Sequence, residues 1–364
     1  MFNQIYNKKR IFVTGHTGFK GSWLCLWLEK LGADVTGYSI SYPTKPNHFE
    51  LLELAPQNIF DDIRNYHNLY QSIANVKPDV VFHLAAQSLV RKGYNEPLDT
   101  FGSNIMGTAN LLEACRHTPS VKAIVIVTSD KCYDNKEQPQ GYHENDPMGG
   151  PDPYSSSKGC AELVTEAYRK SFFTQSADQD SSGVLVASVR SGNVIGGGDW
   201  AEDRIFPDMA RAVSANDQLV VRNPDAVRPW QHVLDPLSGY LRLGQLLYEG
   251  KEEYAGAWNF GPDKNTDIHV RDLVERVREQ WNDVRFRMDT VSSNLYEAKI
   301  LRLDITKAKS LLNWTPVWDS SRAISETVGW YKTYFQTKNI LSSEQLDNYG
   351  KDAERFGMHW VERK

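Results

Sequence analysis

Between a strand-like run and a helix-like run the chain reads Thr14-Gly15-His16-Thr17-Gly18-Phe19-Lys20-Gly21, and no other segment restricts the fold as much. The preceding Arg10–Thr14 (RIFVT) is apolar enough for a buried strand. The following Ser22–Leu31 (SWLCLWLEKL) sets Leu24, Trp27, Leu28 and Leu31 at helical spacing, and Gly32 supplies a stop. Glycines in such a turn let the backbone come close to a pyrophosphate, and the helix start offers unpaired N–H groups and the positive end of its dipole. The spacing is G-x-x-G-x-x-G rather than the common G-x-G-x-x-G. Three glycines alone could merely build a turn. Between a strand and a helix they predict a dinucleotide cradle formed by Gly15, His16, Thr17, Gly18, Phe19 and Gly21. His16 either tunes cofactor affinity or simply meets water.

The theme repeats. Apolar runs at Asp34–Tyr38, Asn58–Asp61, Asp79–Leu84, Ala123–Thr128 and Val184–Val189 alternate with helical patterns near Tyr66–Val76, Asn104–Arg116 and Tyr154–Lys170. Strands buried on both faces read as continuous Val/Ile runs, and VVFHLA and AIVIV do so. The alternation predicts an α/β protein with a doubly wound parallel sheet, of Rossmann type, over residues 1–190. From 191 to 340 the pattern loosens, and we expect a smaller substrate domain at the carboxyl edge of the sheet, with some interleaving of the chain. Residues 341–364 form a polar tail, and Thr174–Gly183 reads as a solvated loop.

With 41 Lys and Arg against 46 Asp and Glu, the net charge of −5 and the lack of a basic block exclude a nucleic-acid binder. Four cysteines without C-x-x-C spacing, and a polar Met1–Arg10, lead us to expect a cytoplasmic, reduced protein with no membrane partner. The nine histidines form no H-E-x-x-H or His/Cys cluster, so no metal is expected. His83 is expected to be a satisfied core residue.

At the end of the second strand an acidic residue would hold a ribose 2′-hydroxyl; Tyr38-Ser39 stands there, and no Lys or Arg follows before Lys45. That favours NAD over NADP, with Ser39 at the ribose. Asp62 and Ile63, at the end of the third strand, either contact the adenine or form an ordinary turn. Tyr154 and Lys158 lie one helical turn apart. At ~4 Å and an effective dielectric near 20, an ammonium favours a phenolate by about 4 kcal/mol, enough to bring its pKa from about 10 towards neutrality. Tyr334 and Lys338 have the same spacing, and we expect only a solvated helix face there.

TGHTGFKG, HLAAQ (83–87), TSDKCY (128–133), YSSSK, RSGNVIGGGDW (190–200), RPWQHVLDP (228–236) and LNWTP (312–316) occur together. In that combination the chain resembles the extended short-chain dehydrogenase/reductases over residues 8–335, and within them the nucleotide-sugar 4,6-dehydratases, nearest to the branch acting on CDP-glucose. The resemblance implies NAD held also by Leu84, Ala85 and Ala86, and an internal redox elimination of water. It implies Tyr154 as base for the C4 hydroxyl, Lys158 on the nicotinamide ribose, Ser129 on the C4 oxygen and Asp130 as acid for the departing C6 hydroxyl. Lys131 stands where the dTDP-sugar branch has a glutamate. It abstracts the C5 proton or else pairs with Asp130 or a phosphate. Asn193 and Arg228 match diphosphate contacts, although Arg228 could instead form a surface salt bridge, and Gln87, Trp200 and Trp230 are candidates for pocket lining. Helices near Asn104–Arg116 and Tyr154–Lys170 match a dimer interface, implying a homodimer or a dimer of dimers. The product would feed deoxysugars of surface polysaccharide. A 4-epimerase on the same fold, or a dinucleotide-binding redox sensor, is the alternative.

Overall fold

The computed structural model describes residues 1–173, 183–263, 267–289 and 300–361. Seven strands form one parallel sheet: β1 (Arg10–Thr14), β2 (Asp34–Ser39), β3 (Gln57–Phe60), β4 (Val80–His83), β5 (Ala123–Val127), β6 (Leu185–Ser191) and β7 (Ala257–Phe260). Their order is β7-β6-β5-β4-β1-β2-β3. The continuous apolar runs have a physical reason. Alternate side chains of a strand point to opposite faces, and here both faces are covered: Ile11, Val13, Val80, Phe82 and Val125 pack into one cluster, while Phe12, Val81, Ile124 and Ile126 pack into another. Only β3, at the edge, leaves Gln57, Asn58 and Phe60 exposed. The chain runs outward one way through β2 and β3 and then returns to lay β4 against β1, so a crevice opens at the strand carboxyl ends where the direction reverses.

Helix α1 (Phe19–Lys30) begins at Phe19, three residues before the apolar pattern suggested. It departs from the expected one-faced helix: Trp23, Leu24, Cys25, Leu26, Trp27 and Leu28 are all buried. The tail is the reason. Residues 342–355 form a helix, and Tyr349 and Trp360 set their rings 5.6 and 5.8 Å from Trp27. A helix apolar all round needs cover on both sides, and the C-terminal segment provides it. Gly32, at φ +76°, ends the turn after α1.

The second lobe has its own core around Trp200, Phe206, Trp281 and Trp330. Beyond Ser191 the chain also returns to the main sheet: helix α3 (Leu234–Tyr248) packs under β5 and β6, and β7 joins the sheet beside β6. Helix α2 (Pro153–Tyr168), which carries the tyrosine–lysine pair, is started by the Asp152 side chain, which accepts from the Ser155 N–H at 3.0 Å. Helix α4 (Ser320–Thr337) and helix α5 (Ser342–Arg355) lie towards the C-terminal end. Most of the expected loop at 174–183 lies outside the described residues. Among the described residues no helix is long and apolar enough to cross a membrane.

Candidate active site

A cavity of about 1360 Å³ runs along the sheet's carboxyl edge into the second lobe. That exceeds the roughly 300–1000 Å³ of a site for one small ligand, and it suits a dinucleotide beside a nucleotide sugar. The floor at one end is the glycine loop. A Cβ on Gly15 would stand 2.6 Å from the Ala85 nitrogen, and one on Gly21 would stand 2.1 Å from the Gly15 carbonyl oxygen. Neither position has room for a side chain, so backbone alone forms the approach to the start of α1. Gly18 would meet only a 3.3 Å contact, and its part is to cap the helix. The cradle fits the phosphates of a dinucleotide.

Thr17, Phe19, Ser39, Asp62, Ile63, Leu84, Ala85 and Ala86 line the same cavity as the three glycines. His16 does not, and it is not exposed to water either. Its ring is buried, with Nδ1 2.8 Å from Ser39 Oγ and Nε2 2.9 Å from Asn58 Oδ1. Burial pushes its pKa down to about 4, so it is a neutral brace between the loop and two strand ends. The Asp62 carboxylate accepts from the Arg64 guanidinium, with Nε–Oδ2 at 2.9 Å, which holds its pKa below the usual range.

Ser129, Asp130, Lys131, Tyr154 and Lys158 gather where β5, α2 and the turn after β6 meet. Ser129, just beyond β5, donates to Asp130 Oδ1 at 2.9 Å and accepts from the Lys131 N–H at 3.2 Å, so it caps the short turn that carries both. Asp130 is buried against Gly192, where any Cβ would strike its carboxylate. Lys131 is half-buried, and no Lys131–Asp130 ion pair occurs among the described residues. Tyr154 and Lys158 are both buried, from the first turns of α2.

Their electrostatics correct the expectation from spacing alone. Burial pushes Tyr154 up to about 12, opposed first by its hydrogen bond with Ser129, and burial pulls Lys158 down to about 8. The lysine does not act on the phenol as a close partner. Its Nζ donates to the Val127 carbonyl at 3.4 Å. Desolvation therefore outweighs the attraction that helical spacing suggested. By itself the protein keeps the phenol protonated near neutrality.

On the substrate side, Asn193, Arg228, Trp200 and Trp230 all line the cavity. Arg228 is buried there rather than lying on the surface. Gln87 also reaches the wall, but its amide is committed to the protein: Nε2 donates to Leu89 O at 3.0 Å and to Thr100 Oγ1 at 2.9 Å, and Oε1 accepts from the Leu89 N–H. These bonds make it a brace for the loop after β4. His83 is a satisfied core residue as expected, between Thr14 Oγ1 at 2.7 Å and Thr108 Oγ1 at 3.1 Å.

Two cavity residues escaped the sequence reading. Lys20 donates to Ser191 Oγ at 2.8 Å, and burial lowers its pKa to about 7. It stands in the first turn of α1, within the segment whose glycines mark the cradle. Arg204 pairs with Asp199 at 2.9 Å and adds its charge to the surroundings of Tyr154. Its place near α2 depends on how the second lobe folds back, which no local signal reveals.

The family model for GDP-mannose 4,6 dehydratase matches residues 12–327. The chain is 47% identical to the CDP-glucose 4,6-dehydratase of Salmonella typhimurium over 94% of this chain and 96% of that one. It is 27% identical to the UDP-glucuronate 4-epimerase of Thermodesulfobacterium geofontis over 88% of this chain and 95% of the other. Among solved structures, Pal from Bacillus thuringiensis superposes with a TM-score of 0.75 at 26% identity, covering 89% of this chain and 99% of that one. The dTDP-glucose 4,6-dehydratase from Bacillus anthracis, in complex with NAD, gives 0.72 at 22% identity over 90% and 98%. With cradle, tyrosine–lysine pair and Ser-Asp-Lys turn in one cavity, the chain belongs to the nucleotide-sugar dehydratase family of extended short-chain dehydrogenase/reductases.

Proposed function

We propose that this protein is a hydro-lyase that converts CDP-glucose to CDP-4-dehydro-6-deoxyglucose with NAD as a recycled cofactor. The observation that carries the reading is the turn at Ser129-Asp130-Lys131, which brings an acid and an amine to the same cavity as Tyr154 and Lys158. An epimerase needs the pair but has no use for the acid and the amine. The identity to the Salmonella enzyme supports cytosine as the base.

Gly15, Thr17, Gly18, Phe19, Gly21 and Ser39 would hold the cofactor, with Asp62, Ile63, Leu84, Ala85 and Ala86 along its length. When bound, NAD+ supplies a reversible hydride acceptor and shows no net change over a turnover. Tyr154 Oη takes the proton of the C4 hydroxyl. Lowering the phenol to do so needs the bound state, in which the Lys158 ammonium would hold the nicotinamide ribose beside it and the cofactor would add its own positive charge. Ser129 Oγ hydrogen-bonds the C4 oxygen as it becomes a carbonyl, which acidifies the C5 proton. Lys131, half-buried and unpaired with Asp130, takes that proton. Asp130 gives a proton to the C6 hydroxyl, which leaves as water. Arg228 and Asn193 hold the diphosphate.

The dimer implied by the family suits the exposed apolar side chains on the helical segments 97–116 and 153–173. Leu98 is 85% exposed, and Met106, Leu163 and Phe172 follow it. We place the reaction in the cytoplasm, supplying deoxysugars for surface polysaccharide. Mass spectrometry of incubations with NAD+ and a panel of glucose nucleotides tests the reading. Loss of one water from CDP-glucose without net NADH is the expected result; unchanged masses across the panel would overturn it.

A further inference from the structure

One helical turn beyond Lys158, on the same face of α2, stands Glu162. It is ion-paired with Arg190 of β6 at 2.8 Å, both side chains being at most 5% exposed. Arg190 Nε also donates to Glu162 Oε1 at 2.9 Å. The remaining lone pairs are filled by Ser188 Oγ, at 2.7 Å, and by Thr128 Oγ1. Arg190 Nη1 completes its set with Tyr133 Oη at 2.6 Å and Glu144 O at 2.9 Å. A buried ion pair is no stability device by default, because apolar residues of equal volume often serve as well. Its position therefore calls for another reason.

Thr128, which Glu162 grips, immediately precedes Ser129, and the Val127 carbonyl before it receives Lys158 Nζ. The titratable groups around Lys158 are Tyr154 and Glu162 on its own helix, Asp130, Lys131 and Cys132 after β5, Arg190 on β6, His83 on β4 and Lys20 on α1. Burial keeps the Cys132 thiol and the His83 imidazole neutral, and Lys20 opposes a second positive charge. Glu162 is the largest of the charges that favour the Lys158 ammonium.

We infer that the Glu162–Arg190 pair is a positioning device for the reaction: its carboxylate is the counter-charge of Lys158 and ties the end of β5 so that Ser129 meets Tyr154. The inference rests on the roles given above to Lys158 and Ser129. In Glu162→Gln/Arg190→Met both buried charges go together, so no lone charge is left to unfold the protein. The alkaline limb of kcat should then move down by about one pH unit, a roughly tenfold loss on that limb, with KM for CDP-glucose within about twofold. Glu162→Asp keeps the charge but withdraws it by one methylene, and it should move the limb in the same direction by less. A folded double variant whose limb coincides with that of the wild type overturns the inference. If the double variant does not fold, an unmoved limb in Glu162→Asp does so.

Wild-type protein that leaves every sugar nucleotide unchanged would defeat the functional reading alone. The charge linkage is then decided in the protein without nucleotide. Its melting temperature should begin to gain from Lys158 about one pH unit lower in the double variant, and superimposable curves would sink the inference.

Discussion

Tyr154–Lys158 and Tyr334–Lys338 share one spacing and differ in nearly everything else. The first pair opens α2 and is buried between the ends of β5 and β6, within reach of Ser129. The second closes α4. Lys338 lies beyond the last turn at φ +64°, with its Nζ 5.0 Å above the Tyr334 ring. Tyr334 is not the solvated residue its spacing suggested; it is half-buried, its ring 5.5 Å from Trp330 and 5.3 Å from Trp200. The chemistry of a tyrosine–lysine pair is thus set by what desolvates it and what hydrogen-bonds it, not by the interval between the two residues.

Substitution at equivalent positions exposes the contrast most sharply. Tyr154→Phe should lower kcat about 10³-fold with the fold intact, as expected for loss of a general base, while Tyr334→Phe should leave turnover unchanged. Equal losses at the two sites would dissolve the distinction. Lys131→Ala should abolish exchange of the C5 hydrogen with solvent, with a loss of about 10²-fold or more in turnover. Asp130→Asn should retain that exchange and stall at loss of water. Deuterium uptake followed by mass spectrometry separates the two, and native exchange in Lys131→Ala would return the lysine to a phosphate-binding role.

The pH dependence separates activity from stability at one residue. Lys158 is lowered in the folded state to about 8. Turnover should therefore decline as the pH rises through 8 and the ammonium is lost. Between about 8 and 10.4 the unfolded chain still holds the proton that the folded protein has released, so this group's contribution to stability rises with pH over that window. Melting curves and kcat profiles with opposite slopes there are the expected signature. The smallest effects fall at the second pair. Tyr334→Ala should cost about 2 kcal/mol through lost packing, and Lys338→Ala about 0.5 kcal/mol through a lost cation–π contact, both read from denaturant melts.

The strands were legible because two covered faces favour apolar side chains at most positions, as Ala123–Val127 shows residue by residue. The cradle was legible because Gly15 and Gly21 have no room for a Cβ. The roles of His16 and Gln87 were not legible. A histidine in a glycine loop gives no sign that Ser39 and Asn58 will enclose it, and the amide of Gln87 finds Thr100 only after the chain turns back. Nor did the apolar run of α1 show that a second face would be covered, since its cover arrives with Tyr349 and Trp360.

By itself, then, the sequence determined six of the seven sheet strands and the glycine cradle, because these rest on local periodicity and on steric limits at single residues, while β7 lay hidden in the looser second half. Only the tertiary structure decided the protonation and the partners of the side chains in the cavity. The burial of Tyr154 and Lys158, the Glu162–Arg190 pair behind them and the arrival of Arg204 are set by segments far apart in the chain. The free energy of a charge depends on everything that displaces water around it.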